Sequence, residues 1–238
     1  MPELPQPAIV QRKRALSPSV LELVLMPQRQ AMVFQPGQWV SVRLPVGEKP
    51  PLTRAYSMAE PVSLSGELVL VLDRVPDGLG SGYLASLKVG DQVEVAGPYG
   101  NFLWPQAVQR EVVFFARFTG IVPIHCLLKH QLAQGVCSPV TLIYSSPHVE
   151  DCIYDQDFHA WARLHPQFRY RVLSGDAVGS VDISVADWPE VRALQELLGS
   201  GTDYLPMLSG VRAFVKPLRA YLTERGFDRK AVKHETYD

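Results

Sequence analysis

The chain has 238 residues, of which 47% are hydrophobic and 20% are charged, and its formal net charge is −1. This near balance excludes an overall electrostatic attraction to nucleic acid or to an anionic membrane. No apolar run reaches the roughly 18 residues of a membrane span, and the first residues lack the apolar segment of a secretory signal. We therefore expect a cytoplasmic protein that binds no nucleic acid and has no membrane span.

The first 106 residues predict β-structure. Apolar and β-branched residues alternate or cluster, as they do in strands, in the segments 19–27, 38–45, 66–75 and 91–98. A short helix is predicted at 82–90, where Leu84 and Leu87 lie three apart and Gly90 can end it. Short strands at this spacing predict a small antiparallel barrel or sandwich.

Residues 107–238 follow a different pattern, in which strands and helices alternate. Strands are predicted at 111–116, 139–146, 168–174 and 203–210, and helices at 121–135, 151–164, 189–199 and 213–227. Pro206 weakens the last strand, and Pro217 should kink the last helix or mark its first turn. This alternation predicts a parallel sheet covered on both faces. We therefore predict two domains, 1–106 and 107–238.

Two stretches of the first domain carry chemistry. Arg54, Tyr56 and Ser57 lie on one predicted strand, where Arg can pair with phosphate, Tyr can stack on a ring and Ser can hydrogen-bond a ring heteroatom. Gly80 and Ser81 lie in a glycine-rich turn before the short helix, where backbone amides and the positive helix end favour an anion. Taken separately, each stretch is equally compatible with an exposed edge strand or a flexible loop.

Together, and followed by "VGDQVEVAGPYGNF" at 89–102, these stretches resemble the ferredoxin–NADP(H) reductase family of flavoproteins. The resemblance covers nearly the whole chain and implies an antiparallel flavin-binding β-barrel followed by an α/β nucleotide-binding domain. It implies FAD as the cofactor, with FMN as the alternative, and NADH or NADPH as the cosubstrate.

The resemblance also implies roles for individual residues. Arg54 would hold the flavin phosphate, Tyr56 would pack on the flavin, and Ser57 would hydrogen-bond near N5, where hydride arrives. The implied cofactor-binding residues are Arg54, Ala55, Tyr56, Ser57, Leu72, Asp73, Gly80, Ser81, Thr119, Gly120 and Tyr237, and the implied catalytic residues are Ser57, Ser209 and Glu235.

The nucleotide-binding motifs depart from the family pattern. The G-G-T-G loop appears as Arg117-Phe118-Thr119-Gly120, so two bulky side chains either fill the space of the pyrophosphate or bring Arg117 forward to pair with it. Both interpretations stay open. Ser209 replaces a cysteine that faces the nicotinamide, and the C-terminal motif survives as Glu235-Thr236-Tyr237. The resemblance puts Glu235 near the flavin, and the alternative is a solvated acid.

The preference between the two nucleotides follows from two further departures. The family's Y-G-x-R after the second strand of this domain appears as Tyr144–His148, without its arginine, and a later arginine is replaced at Gly175-Asp176. Each charge-assisted contact is worth roughly 1.5–3 kcal/mol, so losing both should weaken recognition of the 2′-phosphate. We therefore expect NADH rather than NADPH.

The sequence offers no metal site. Cys126, Cys137 and Cys152 form no C-x-x-C pair and no four-cysteine set for an iron–sulfur cluster. His125 and His130 are five apart on one predicted helix and do not face each other.

The leading hypothesis is therefore a flavin-dependent oxidoreductase that transfers hydride from NADH to FAD. Electrons would then pass to a separate acceptor, such as a ferredoxin, another redox protein or a small molecule, since the sequence has no cluster motif of its own. The alternative is a flavin-bearing electron-transfer or assembly subunit that has lost productive nicotinamide nucleotide binding. The sequence leaves the oligomeric state open.

Overall fold

A computed structural model of the chain describes residues 3–47, 51–106, 109–135, 138–175 and 183–237. The chain forms two compact units. The first comprises Met1–Trp104 and His125–His130, and the second comprises Pro105–Ile124 and Gln131–Asp238.

The first unit is built from strands and one short helix. Its described elements are β1 (Glu3–Ala15), β2 (Val20–Pro27), β3 (Trp39–Leu44), β4 (Leu52–Ser57), β5 (Leu68–Asp73), α1 (Leu79–Ser86) and β6 (Gln92–Tyr99). The strands pair antiparallel in the order β4-β3-β6-β1-β2-β5, and a bridge between Met58 and Leu70 links the two edges. The result is a nearly closed six-stranded barrel, which confirms the predicted antiparallel barrel.

Alternation along the strands fills the barrel core. On β3, Val40, Val42 and Leu44 are fully buried, whereas Arg43 between them is exposed. Each fully buried aliphatic side chain contributes about 1.5–3 kcal/mol. The alternation also sets the register of β3 against its neighbours, because a shift of β3 by one residue would turn these side chains to the outside of the barrel.

Two features of the first unit differ from the sequence prediction. Strand β1 had not been predicted. Helix α1 begins at Leu79, three residues before the predicted start at Gly82, and it ends at Ser86 because Leu87 is extended, with ψ at 145°. Gly90, expected to end the helix, lies beyond it in a turn at φ +95°.

The second unit contains a parallel sheet with helices. Its described elements are β7 (Glu111–Arg117), α2 (Ile121–Ala133), β8 (Val140–Ser146), α3 (Asp155–Leu164), β9 (Phe168–Ser174), α4 (Pro189–Leu198), β10 (Tyr204–Val211), α5 (Arg212–Glu224) and β11 (Lys233–Tyr237); residues His125–His130 of α2 belong to the first unit. The strand order is β11-β10-β7-β8-β9, and every pairing is parallel. The predicted α/β parallel sheet is confirmed.

Burial along its whole length distinguishes β8 of this sheet from the half-buried strand β3 of the barrel. All seven residues of β8 are buried, as expected for a strand inside a parallel sheet with helices packed on it. On α5, the buried residues Phe214, Val215, Leu218 and Leu222 recur at helical spacing and form one face. Trp188 stacks on Phe214, with ring centroids 5.8 Å apart.

Several boundaries in the second unit also differ. Helix α3 begins at Asp155 rather than at the predicted Asp151, since Tyr154 adopts a left-handed φ of +62° before it. Strand β11 had not been predicted. Pro206 does not interrupt β10, because the described pairing with β11 begins only at Met207. Pro217 lies inside α5, beyond the first turn. No helix among the described residues is long and apolar enough to cross a bilayer.

Candidate functional site

Arg54 and Tyr56 share one face of β4, opposite Val42 and Val40 of β3. Arg54 is exposed, and its Nη1 donates to the neighbouring carbonyl of Thr53 at 3.0 Å. Tyr56 is partly buried and packs against the barrel core. The strand therefore presents a cation and a phenol two residues apart.

The start of α1 lies against the same arginine. A Cβ atom at position 80 would lie 3.6 Å from Cγ of Arg54 and 3.1 Å from Cδ1 of Leu44. Glycine thus lets the helix backbone approach the stem of Arg54 closely. At the other end of α1, Nζ of Lys13 donates to the carbonyl of Ala85 at 2.8 Å, which holds the helix on β1.

The first amides of α1 form the turn predicted to bind an anion. The amide of Gly82 donates to the carbonyl of Gly78 at 2.8 Å and closes the first turn. The backbone amides of residues 79–81 come before this hydrogen bond in the chain, and no carbonyl within the helix is available to accept from them. The Ser81 hydroxyl donates to the carbonyls of Val75 and Gly78, each at 3.3 Å, so in this structure it braces the loop.

The environment of Tyr56 keeps its phenol neutral. Burial, followed by the negative charge of Asp73, raises the pKa of Tyr56 to about 12, although the Arg54 guanidinium acts in the opposite direction. Tyr56 and Arg54 of β4 and Asp73 of β5 therefore lie close enough for their charges to influence one another. A neutral phenol remains a hydrogen-bond donor and an apolar surface at physiological pH.

The other predicted residues of this unit occupy distinct environments. Ser57 ends β4 and is buried, with 3% exposure. Ala55 is exposed on β4, opposite Ser41. The Leu72 side chain lies in the barrel core, which leaves its backbone for the predicted contact with a ring.

These residues fit a cofactor that carries both a phosphate and an aromatic ring system. Arg54 and the first amides of α1 are donors suited to phosphate. Tyr56 supplies a neutral aromatic surface beside them. The close approach of Gly80 to Arg54 is the observation that joins the two donor groups.

In the second unit, the loop after β7 has an unusual backbone. Residues Phe118–Gly120 form a 3₁₀ turn, and Phe118 has φ at +50°. A side chain in this left-handed region costs about 1–2 kcal/mol, which glycine does not pay. The departure at position 118 therefore adds a side chain to a conformation that favours glycine.

Gly120 and Ser209 lie in direct contact. A Cβ atom at position 120 would lie 2.3 Å from the carbonyl oxygen of Ser209 and 2.7 Å from Cα of Gly210. No larger residue fits without movement of the backbone. The predicted Thr119-Gly120 pair is thereby packed against the end of β10.

Strand β11 brings the C-terminal motif to the same edge of the sheet. Ser209 pairs with Glu235 across β10 and β11, and its Oγ lies 3.4 Å from the hydroxyl of Tyr237. Ser209 is fully buried, while Glu235 and Tyr237 are partly exposed. Three distant segments of the sequence therefore meet at the carboxyl ends of parallel strands, the usual ligand-binding edge of such sheets. They contribute Gly120, Ser209, and the pair Glu235 and Tyr237.

Sequence reasoning missed Glu190, a fully buried acid at the start of α4. Its Oε1 accepts a hydrogen bond from Ser145 Oγ at 2.7 Å and lies 4.0 Å from Nη1 of Arg117. Burial raises the pKa of Glu190 and lowers the pKa of Arg117, and each charge partly offsets the shift of the other. The only signal was a glutamate after a proline at a predicted helix start, which usually marks an exposed first turn.

Acidic residues follow the end of β8 in the sequence, in the segment where the family's missing arginine would lie. Asp151 is buried, and Tyr144 donates to its backbone carbonyl at 3.2 Å. Asp155 accepts a hydrogen bond from Tyr170 at 2.7 Å. Asp176, part of the second departure, lies outside the described residues. The described part of this edge is therefore rich in negative charge.

The sequence predicted no metal site among its cysteines and histidines. Within the ranges that the structure describes, no group of three or more His, Cys, Asp or Glu side chains could hold a metal ion. Cys126 and Cys152 are free thiols, and Cys137 lies outside the described residues.

Known proteins are similar to this chain in sequence and in fold. The family described as oxidoreductase FAD-binding domain matches residues 7–104. Ferredoxin–NADP reductase B of Sorangium cellulosum is 32% identical over 235 residues, which cover 94% of this chain and 94% of that protein. The toluate 1,2-dioxygenase electron transfer component of Pseudomonas putida is 33% identical over 97% of this chain and 67% of its own length. The cytochrome P450 reductase GcoB of Amycolatopsis has the same fold, with a TM-score of 0.81 at 22% identity over 98% of this chain and 69% of that one.

Proposed function

The chain belongs to the ferredoxin–NADP(H) reductase family of flavoproteins, and from this premise we propose that it oxidises NADH in preference to NADPH and reduces a separate redox protein. Use of FAD and of a nicotinamide nucleotide follows from the family. The choice of nucleotide and of acceptor is the proposal. One relative is named as the electron transfer component of a dioxygenase and another as the reductase component of a dioxygenase, which supports a separate protein acceptor.

The first unit provides the residues that would hold FAD. Arg54 and the first amides of α1 would bind its phosphates, and Tyr56 would pack on it as a neutral phenol. Ser57 would donate a hydrogen bond to a ring nitrogen. When bound, FAD accepts a hydride and releases electrons singly, whereas the protein supplies position and electrostatics.

In the second unit, the edge formed by Gly120, Ser209 and Glu235 would receive the nicotinamide nucleotide. Gly120 keeps the loop backbone against β10, which leaves the turn's amides at the carboxyl ends of the strands. Ser209 and Glu235, paired across the two strands, would contact the nicotinamide and assist the proton or hydride step.

The preference for NADH rests on the carboxylates that follow β8. A 2′-phosphate carries up to two negative charges and needs cations nearby. The described segment after β8 instead contains Glu150, Asp151 and Asp155, with Asp151 buried. This excess of negative charge is the single observation that carries the choice, since carboxylates repel the 2′-phosphate and suit the free hydroxyls of NADH.

A direct comparison of the two nucleotides tests the proposal. The flavin-loaded protein is mixed without oxygen with a concentration series of NADH or NADPH, and the loss of flavin absorbance is followed by stopped flow. We expect kcat/KM to be at least about tenfold higher with NADH, a difference of about 1.4 kcal/mol. Equal values, or a preference for NADPH, would contradict it. A yellow protein that neither nucleotide bleaches would instead indicate an electron-transfer subunit.

A further inference from the structure

Arg117 stands where the family pattern has a glycine, and its side chain is already engaged within the second unit. Its side chain is only 16% exposed, and Nη1 lies 4.0 Å from Oε1 of Glu190, which is fully buried. No hydrogen-bond partner for Nη1 exists among the described residues, so the attraction to Glu190 is mainly between charges. The cation is directed at an internal carboxylate.

Glu190 is itself fixed in place by the neighbouring strand. Ser145 donates to its Oε1 at 2.7 Å, and Ser145 pairs with Arg117 across β7 and β8. The three residues therefore link the ends of two central strands to the first turn of α4. Since Ser145 is fully buried as well, this link is shielded from water.

The turn that follows Arg117 needs such a support. Phe118 holds a left-handed φ of +50°, a conformation that persists in a residue with a side chain only where the surroundings fix it. On the far side of Arg117, a Cβ atom at position 210 would lie 3.2 Å from its Cβ. Arg117 is thus confined by β10 and by the attraction of its guanidinium to Glu190.

We infer that Arg117 is a positioning residue, which acts through Glu190 to hold the Phe118–Gly120 turn in the shape that receives a nucleotide. This inference rests on the proposed function, because it assigns nucleotide binding to that turn. It differs from a direct contact between Arg117 and a phosphate, and from an obstruction of the site. Moving Arg117 to a phosphate would leave the Glu190 carboxylate buried without its countercharge, which is strongly unfavourable.

Neutralising Glu190 separates these three roles, because each role predicts a different change in the affinity for a nucleotide. ADP-ribose serves as the probe, and its binding to the flavin-loaded protein is measured by calorimetry. If Arg117 positions the turn, Glu190→Gln should weaken binding at least about fivefold. If Arg117 contacts a phosphate, the same change frees the guanidinium and should tighten binding. If Arg117 obstructs the site, Arg117→Gly should tighten binding and Glu190→Gln should have little effect; either tightening overturns the inference.

Control variants isolate the buried pair. Glu196→Gln makes the same chemical change in an exposed Arg171–Glu196 pair of the same unit, with the acid 64% exposed, and should leave binding unchanged. Arg117→Lys keeps the charge and should retain more affinity than Arg117→Met. An equal loss of ADP-ribose affinity in the Arg117→Lys and Arg117→Met variants would overturn an electrostatic role for Arg117.

A second readout does not depend on any nucleotide. Urea unfolding of Arg117→Met, Glu190→Gln and the double variant forms a double-mutant cycle. The double variant should have a folding constant at least about tenfold higher than additivity of the single changes predicts. Additive changes in the folding constant overturn the inference. If Arg117→Met does not fold, Arg117→Lys takes its place in the cycle. Failure of the wild type to bind ADP-ribose, with the coupling intact, would instead refute nucleotide binding at this turn and the proposed function with it.

Discussion

Ser209 of β10 lies directly opposite Glu235 of β11 in parallel register, and its Oγ is 3.4 Å from the Tyr237 hydroxyl. The last strand of the chain thus places an acid and a phenol beside a buried serine. This arrangement gives the C-terminal motif a specific position at the carboxyl edge of the sheet, where Gly120 also lies.

Glu235→Gln should slow flavin reduction at least about tenfold while changing the nucleotide KM by less than about twofold. The amide keeps the size of the side chain but loses its charge and its ability to accept a proton. Anaerobic stopped flow measures both quantities. Glu224→Gln, on an exposed residue of α5, is the matched control. An unchanged rate would show that Glu235 is only a solvated acid.

Arg54→Gln should weaken FAD binding to the apoprotein roughly tenfold or more, because a charge-assisted contact is worth about 1.5–3 kcal/mol. Flavin fluorescence quenching measures the Kd. Arg43→Gln is the control, since Arg43 is an exposed barrel arginine 3.1 Å from Glu94 and its pair contributes little. Equal losses in the two variants would refute a phosphate-binding role for Arg54.

Gly120→Ala should destabilise the protein by about 1–3 kcal/mol, the usual range for forced overpacking. The added methyl group would lie 2.3 Å from the carbonyl oxygen of Ser209, where no flexible side chain can give way. Urea unfolding measures the change. Gly201→Ala, where a methyl group meets nothing within 4 Å, should be nearly neutral. A stable Gly120→Ala variant would contradict the close packing of the turn on β10.

The stability of the protein should carry a pH dependence that comes from Glu190. Burial raises the pKa of this carboxyl in the folded state above its ordinary value of 4.5, so the folded protein holds the proton more tightly than the unfolded chain. The contribution of Glu190 to the free energy of unfolding is largest below the ordinary pKa, and it is lost as pH rises through the raised pKa. The Glu190→Gln variant is the reference, because it keeps the neighbouring residues Arg117 and Ser145. Relative to this variant, the free energy of unfolding of the wild type should fall as pH rises above 4.5. Parallel pH curves for the two proteins would contradict this.

The periodic pattern of apolar residues in the sequence made most of the fold predictable. Strands β3 and β8 carry the patterns of half-buried and fully buried strands, and both formed where predicted. Strand β1 was missed because its alternation stops at a register shift between Val10 and Arg12, after which charged residues dominate. Strand β11 has little apolar pattern of its own, and its pairing with β10 defines it.

Short sequence motifs supplied the predicted residues of the candidate site, whereas contacts between distant segments could not be predicted from the residues themselves. Arg54, Tyr56 and Gly80 come from two short stretches, and the structure brings these stretches together. Glu190 was not predictable, because its partner Arg117 belongs to a distant strand and only tertiary packing buries the acid. The assignment of catalytic roles to Ser57, Ser209 and Glu235 stays a prediction.

The most direct test of the account is an anaerobic titration of the flavin-loaded protein with NADH. We predict that one equivalent of NADH removes the oxidised flavin absorbance, and that the absorbance returns when a one-electron acceptor protein is added. A protein that binds no FAD, or whose bound flavin keeps its full absorbance with excess NADH and excess NADPH, would contradict the account.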